Sequence, residues 1–194
     1  MNQSCFLLLL LAALGVSAAP LWEECHAELL GYLPESYQFG YLIANPVLPT
    51  LWLGNNCAAL HAAFHANASI QTVLSLAREF DTRPAPLASD IAFHPLGLWD
   101  DANTGDAEIL ETLTRAAAVI NSGLQAGHSV LVYCQMGISR STSAVLAYLL
   151  MYERTRFPDY EAALAFVRSA RRVARPNPHF ERVLRRLATT RAEL

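Results

Sequence analysis

The sequence predicts an α/β fold, a central and mostly parallel sheet with helices on both faces. Three observations predict it. First, residues 130–132 are a short β-branched run that leads to Cys134, crosses a loop and enters the apolar run 141–152. That is the pattern of a buried strand feeding a buried helix. Second, strand-like runs at 51–54, 71–76 and 90–98 alternate with helix-like stretches, the order expected of a layered α/β domain. Third, the 194 residues are 53% hydrophobic and 16% charged, long enough to bury a core and too apolar for a disordered chain.

Taken in order, residues 6–16 are an apolar run of signal-peptide length. Val16-Ser17-Ala18 and Ser17-Ala18-Ala19 both resemble small-residue cleavage sites, and Pro20 disfavours a cut directly before it. Met1 to Cys5 carries no Lys or Arg, so an apolar helix packed on the domain is the alternative. Residues 1–19 are assigned to one or the other, 20–45 to a connector and 46–190 to the main domain. Residues 21–33 read as a short helix stopped by Pro34, and 37–47 as a first strand or extended arm.

Residues 51–54 form a strand ended by Gly54, and Asn55 or Asn56 caps a helix to about Ala66. His61 and His65 lie one turn apart on it. With no Glu between them and no third ligand nearby, they read as a solvated face rather than a metal pair. Residues 71–76 are the next strand, with Val73, Leu74 and Leu76 buried. Pro84 and Pro86 mark 77–89 as a loop, in which Arg78, Glu79 and Arg83 either line a cleft or sit in a solvated turn. Residues 90–98 return as a strand whose alternation puts Leu96, Leu98 and Asp100 on one face.

Asp106 is the expected cap of a helix over 107–121, with Ile109, Leu110, Leu113, Ala117 and Ile120 inward. Gly123 and Gly127 end it. Asp159 caps 160–172, whose apolar stripe is Ala163, Leu164, Phe166 and Val167. A turn at 176–180 precedes a last helix at 181–188. Seven arginines between Arg168 and Arg186 are either solvated helix faces or a docking patch for acidic substrates.

A net charge of -3 argues against nucleic acid as the main partner. No run is long enough for an ordinary membrane-spanning helix. The four cysteines are Cys5, Cys25, Cys57 and Cys134; none has metal-ligand spacing, so no metal and no cofactor is expected. Asn67-Ala68-Ser69 is a glycosylation triplet of a kind frequent by chance. Cys25 and Cys57 can pair in an oxidising compartment, whereas an exposed low-pKa thiol survives best in a reducing one. The compartment stays open: cytoplasmic without a signal peptide, secretory with one.

Residues 133–141 carry the chemistry. A strand feeding a tight loop that opens a helix makes an anion cradle, with backbone N–H groups turned inward and the helix N-terminus adding positive potential. Cys134 at its mouth should be acidified, because the field that binds phosphate also stabilises a thiolate. Arg140 offers a planar fork to two oxygens, Gly137 lets the backbone curl, and Ser141 can reach the sulfur.

The stretch Cys134-Gln135-Met136-Gly137-Ile138-Ser139-Arg140-Ser141 resembles the signature loop of cysteine-dependent protein tyrosine phosphatases, dual-specificity branch. Its Gln-Met pair is similar to that of slingshot-type members. The strand-Gly54-helix-strand entry and the "RPNP-x-F" segment extend the resemblance over about 46–190. It implies a protein tyrosine phosphatase-like fold and hydrolysis of phosphotyrosine and phosphoserine/phosphothreonine in phosphorylated proteins. Cys134 is then the nucleophile, and Gln135, Met136, Gly137, Ile138, Ser139 and Arg140 hold the phosphate. Ser141 helps the thiolate leave, and an aspartate after the fourth strand is the general acid. Alternation selects Asp100; loop spacing to Asp106 fits Asp101 at least as well. Two departures stand out. Tyr133 replaces the family's usual histidine before the nucleophile, where a phenol can still donate a hydrogen bond. The loop also lacks the lysine of lipid phosphatases, which ranks phosphoprotein above phosphoinositide. The alternatives are a phosphate-binding pseudophosphatase and a phosphatase for non-protein esters.

Overall fold

A computed structural model of the chain describes residues 21–38, 41–101 and 103–190. Residues 1–19, expected to be a signal peptide or an apolar helix packed on the domain, lie outside the described residues. Five strands form one sheet: β1 (Ala44–Leu48), β2 (Leu51–Asn55), β3 (Ile70–Ala77), β4 (Ala92–Leu98) and β5 (Ser129–Cys134). Their order is β1-β2-β5-β3-β4. All neighbours run parallel except β1, which pairs antiparallel with β2 at the edge. β5 is central and every residue in it is buried, as a strand covered on both faces must be.

The helices are α1 (Leu21–Gly31), α2 (Glu35–Gln38), α3 (Asn56–Ala59), α4 (Ala62–Asn67), α5 (Asp106–Gln125), α6 (Arg140–Tyr152), α7 (Tyr160–Ala170) and α8 (Pro178–Thr190). Alternation along β5 divides the core. Val130, Val132 and Cys134 join Leu51, Leu53, Leu74 and Leu98 under α5 to α8. Leu131 and Tyr133 face the other way and, with Val73, pack against Ala58 and Ala59 of α3 and Phe64 of α4. Helices thus cover both faces, as expected. Among the described residues no helix is long and apolar enough to cross a membrane.

Several local expectations are corrected. The helix expected from Asn55 to Ala66 is two short ones. Asn55 caps α3 by accepting the N–H groups of Cys57 and Ala58, and His61 Nδ1 caps α4 by accepting from Phe64. His65 does not lie on a solvated face: it is buried, with Nε2 2.7 Å from the Ala58 carbonyl oxygen. The 37–47 arm begins as α2, and the strand starts only at Ala44.

Asp106 is not a cap either. Gly105 occupies the cap position, and the Asp106 carboxylate pairs with Arg182 and Arg186 of α8. Leu110 is 42% exposed rather than inward, because α8 covers only part of that helix face. Gly123 lies within α5, where its bare Cα lets Val130 approach; Gly127, at φ 78°, makes the turn.

A disulfide joins Cys25 of α1 to Cys57 of α3 across 32 residues. Around it Leu29, Leu33, Tyr41 and Val173 form a small core against which Met136 and Ile138 pack. Closing a loop of that length stabilises the fold by about 3–4 kcal/mol through the unfolded chain. Cys25→Ala should therefore lower the unfolding free energy of the oxidised protein by about that amount, read as a lower midpoint in denaturant melts. An unchanged midpoint would show the bond does not form.

Candidate active site

β5 delivers Cys134 to the C-terminal end of the sheet, and α6 begins six residues later at Arg140. In a mostly parallel sheet that end is where ligands bind. The carbonyls of the loop between them are held outward one after another. The Asn56 N–H donates to Gln135 at 3.2 Å. Tyr41 Oη donates to Met136 at 2.6 Å, Arg171 Nε to Gly137 at 2.7 Å and the Arg175 N–H to Ile138 at 2.8 Å. Ser143 donates both N–H and Oγ to Ser139. In a trans peptide the N–H opposes the carbonyl, so the amides of 136–140 are turned the other way, into the loop. The Gly137 N–H shows it directly, donating to Cys134 Sγ at 3.3 Å.

Gly137 sits at φ 64°. A Cβ there would stand 2.6 Å from both Arg171 Nη2 and the Gly54 carbonyl oxygen, so only glycine fits. Ser141 Oγ lies 3.2 Å from Cys134 Sγ, fully buried. Sulfur, serine and the inward amides thus converge as the sequence indicated.

Arg140 is 3% exposed. Its Nη1 donates to Glu79 Oε2 at 2.5 Å and to the Leu98 carbonyl at 3.0 Å. Burial alone would lower its pKa; the Glu79 hydrogen bond, then the negative charges of Cys134, Glu79 and Asp100, outweigh that and raise it. Glu79 shows the converse: burial pushes its carboxyl up, and Arg140 brings it below the usual value. Arg140 Nε has no hydrogen-bond partner, with Asp100 Oδ2 3.6 Å away.

The two candidate acids differ. Asp100 leans over the loop: its Oδ1 accepts from Ser139 Oγ at 2.9 Å and from Asn177 Nδ2 at 2.6 Å. Asp101 is turned into its own loop, accepting the N–H groups of Asn103 and Thr104 and the Thr104 hydroxyl. Those bonds, that of Asn103 foremost, hold its carboxyl below the usual range, which suits it poorly to carry a proton. A cleft of about 430 Å³ lies between these groups, lined by both Asp100 and Asp101 and by Glu79, Cys134, Met136 and Arg140 among others.

Tyr133 does not do what a donating residue would. Its ring points to the face away from the loop, and its hydroxyl is buried without a hydrogen-bond partner. Burial pushes the phenol's pKa up and Ser75 opposes the shift, yet no hydrogen bond of normal geometry joins the two hydroxyls. The loop is held instead by Asn56, Tyr41, Arg171 and Arg175.

Arg171 belongs in sequence to the basic stretch that ends the chain. It is 2% exposed, donates to Leu42, Asn45, Met136 and Gly137 oxygens, and lies 5.0 Å over the Tyr41 ring. Arg182, Arg185 and Arg186 pair with Asp106, Glu161 and Glu181. Of the seven arginines, Arg171 is thus buried in the fold, and Arg182, Arg185 and Arg186 lie in exposed ion pairs, the solvated helix faces of the first alternative. Arg168, Arg172 and Arg175 line a 150 Å³ cavity beside Ile138. Among the described residues no three His, Cys, Asp or Glu side chains cluster as metal ligands.

A thiol at the floor of an amide-lined loop, an arginine at its rim and a carboxylate above define a cysteine-dependent phosphatase site. Residues 51–190 match the family model described as dual specificity phosphatase, catalytic domain. Human Dual specificity phosphatase 28 is 34% identical over 134 residues, covering 69% of this chain and 71% of that protein. The chain belongs to the dual specificity phosphatase family. Human Protein phosphatase Slingshot homolog 3 is 33% identical over 142 residues, 73% of this chain but 20% of that protein. The chain thus spans about a fifth of the length of that relative. The crystal structure of human DUSP28 superposes with a TM-score of 0.68 at 28% identity, covering 78% of this chain and 96% of that one.

Proposed function

We propose that the chain hydrolyses phosphotyrosine and phosphoserine/phosphothreonine in proteins through a cysteinyl-phosphate intermediate. The observation that carries the reading is the outward tethering of the loop carbonyls around Cys134, which turns the amides toward a bound phosphoryl group. The Cys134 thiolate attacks phosphorus in line, and the phosphorus–oxygen bond to the substrate breaks. Asp100 protonates the departing oxygen. Water then attacks the cysteinyl-phosphate, giving its proton to Asp100, and Cys134 leaves as a thiolate hydrogen-bonded by Ser141. The inward amides and Arg140 hold the equatorial oxygens and take up their charge. Trp99, Met136 and Ile138 at the cleft offer apolar walls to a peptide side chain.

The test is turnover in metal-free buffer on phosphotyrosine and phosphoserine peptides, with a phosphoinositide alongside. Release of phosphate from the peptides at the higher kcat/KM supports the reading. Tight peptide binding without release would make the chain a phosphate-binding pseudophosphatase, and preference for the lipid would move it to non-protein esters.

Tyr133 gives a second expected result. The family's usual histidine at this position is implied by the resemblance to set the loop and the thiolate through a hydrogen bond, and the Tyr133 hydroxyl has no hydrogen-bond partner in its place. Tyr133→His should raise kcat/KM on p-nitrophenyl phosphate by about 10-fold, a thiolate-activation effect of ordinary size. An unchanged rate would mean that the tethers from Tyr41 and Arg171 already hold the loop in full.

A further inference from the structure

We infer that Asn67 carries an N-linked glycan, acquired as the chain folds in an oxidising secretory lumen. Asn67-Ala68-Ser69 has the acceptor pattern, which occurs often by chance, so the argument rests on where the fold puts it. Asn67 is the last residue of α4 and is exposed; Ser69, also exposed, turns the chain toward β3 at φ 51°. The triplet therefore spans an open helix-to-strand turn rather than the interior of an element. Helix–strand turns on the surface are where a bulky hydrophilic modification costs the fold least.

A second, independent observation points to the same compartment. Cys25 and Cys57 are joined in a disulfide, and structural disulfides persist in oxidising compartments and are rare in the cytosol. Forming that bond removes two protons and two electrons from the thiols, passed to a protein disulfide that is reduced to a dithiol. Among the described residues this leaves Cys134 as the free cysteine, and it is buried. The nucleophile is thus neither needed for the cross-link nor open to mispairing on the surface. The apolar run at 6–16 with its small-residue cleavage sites supplies an entry route of the expected kind.

The position also suits the proposed activity. β3 runs parallel to β5, with Ile70 beside Ser129, so the turn lies at the end of the sheet where these strands begin. Cys134 lies at the end where they finish, on the order of 16 Å along the strand direction. A glycan on Asn67 projects from the pole opposite the cleft and leaves it open.

The group transfer balances without redox change. Asn67 Nδ2 bonds to the anomeric carbon of the first sugar, whose bond to the diphosphate of a polyprenyl-linked oligosaccharide breaks. The diphosphate leaves with the electron pair and the amide gives up one proton.

The test expresses the full chain in cultured animal cells and treats it with peptide N-glycosidase, which converts a glycosylated Asn to Asp. The expected result is a faster-migrating band after digestion and Asp at position 67 by peptide mass spectrometry. Both should vanish in Asn67→Gln and in Ser69→Ala. A wild-type chain unaffected by digestion overturns the inference. So does a wild-type shift with Asn67 left unconverted, which would assign the glycan to the Asn2-Gln3-Ser4 triplet. Because the wild-type peptide reads position 67 directly, a poorly folding variant does not blur the answer. Phosphatase assays play no part, so the result stands apart from the catalytic reading.

Discussion

Cys134→Ser should abolish turnover, by about 10⁴-fold or more on any phosphate ester, while the chain still folds and still binds phosphate. The size follows from what the loop can activate. A serine hydroxyl is several pKa units less acidic than a thiol and a far weaker nucleophile near neutral pH, and the loop's amides and Arg140 offer hydrogen bonds but take no proton from it. Binding survives because the carbonyls of 135–139 are tethered by Asn56, Tyr41, Arg171, Arg175 and Ser143, none of which depends on sulfur. The measurements are p-nitrophenyl phosphate turnover and the rise in melting temperature with added inorganic phosphate. A variant within tenfold of wild type would remove Cys134 from the mechanism; loss of phosphate binding as well would mean that the sulfur organises the loop.

What the sequence disclosed about this site is what lies close together along the chain. Cys134, Gly137, Arg140 and Ser141 fall within one strand-loop-helix unit, so their spacing carries their geometry. Asp100 was legible through alternation, since Leu96, Leu98 and Asp100 share one face of an extended segment. The groups that hold the loop were not legible, because they arrive from elsewhere. Tyr41 comes from a segment that reads as a strand and Asn177 from a turn. Arg171 reads as one charge in a basic stretch.

Arg171 shows why composition misleads there. A cation that is 2% exposed is costly unless its donors are satisfied. Here they are met by loop carbonyls and Asn45, contacts only the assembled tertiary structure defines. Burial pushes its pKa down, and Tyr41 and Cys134 act against that shift. The same lesson applies in the fold: His65 becomes buried and Leu110 exposed because the covering helices, not the local periodicity, decide which faces are wet.

Asp100→Asn and Asp101→Asn should separate the general acid from its neighbour, with the larger effect on the poorer leaving group. On a phosphoserine peptide Asp100→Asn is expected to lower kcat by about 10²–10³-fold, the usual contribution of a positioned proton donor. On p-nitrophenyl phosphate the loss should be far smaller, because that phenolate departs without a proton. Asn at 100 keeps an Oδ1 to accept from Ser139 and Asn177, so these two bonds above the cleft survive, while the ion pair with Arg140 Nε at 3.6 Å is lost with the proton. Asp101→Asn should leave both substrates within about threefold, since its carboxylate organises the Asn103–Thr104 turn and these bonds favour its charged form. The substrate dependence is the discriminating readout: a structural defect slows both esters alike, whereas loss of the acid slows the alkyl ester selectively. If Asp101→Asn alone shows that selectivity, Asp101, which lines the same cleft, is the acid once its turn bonds are released, and Asp100 becomes the residue that holds Ser139 and Asn177 in position.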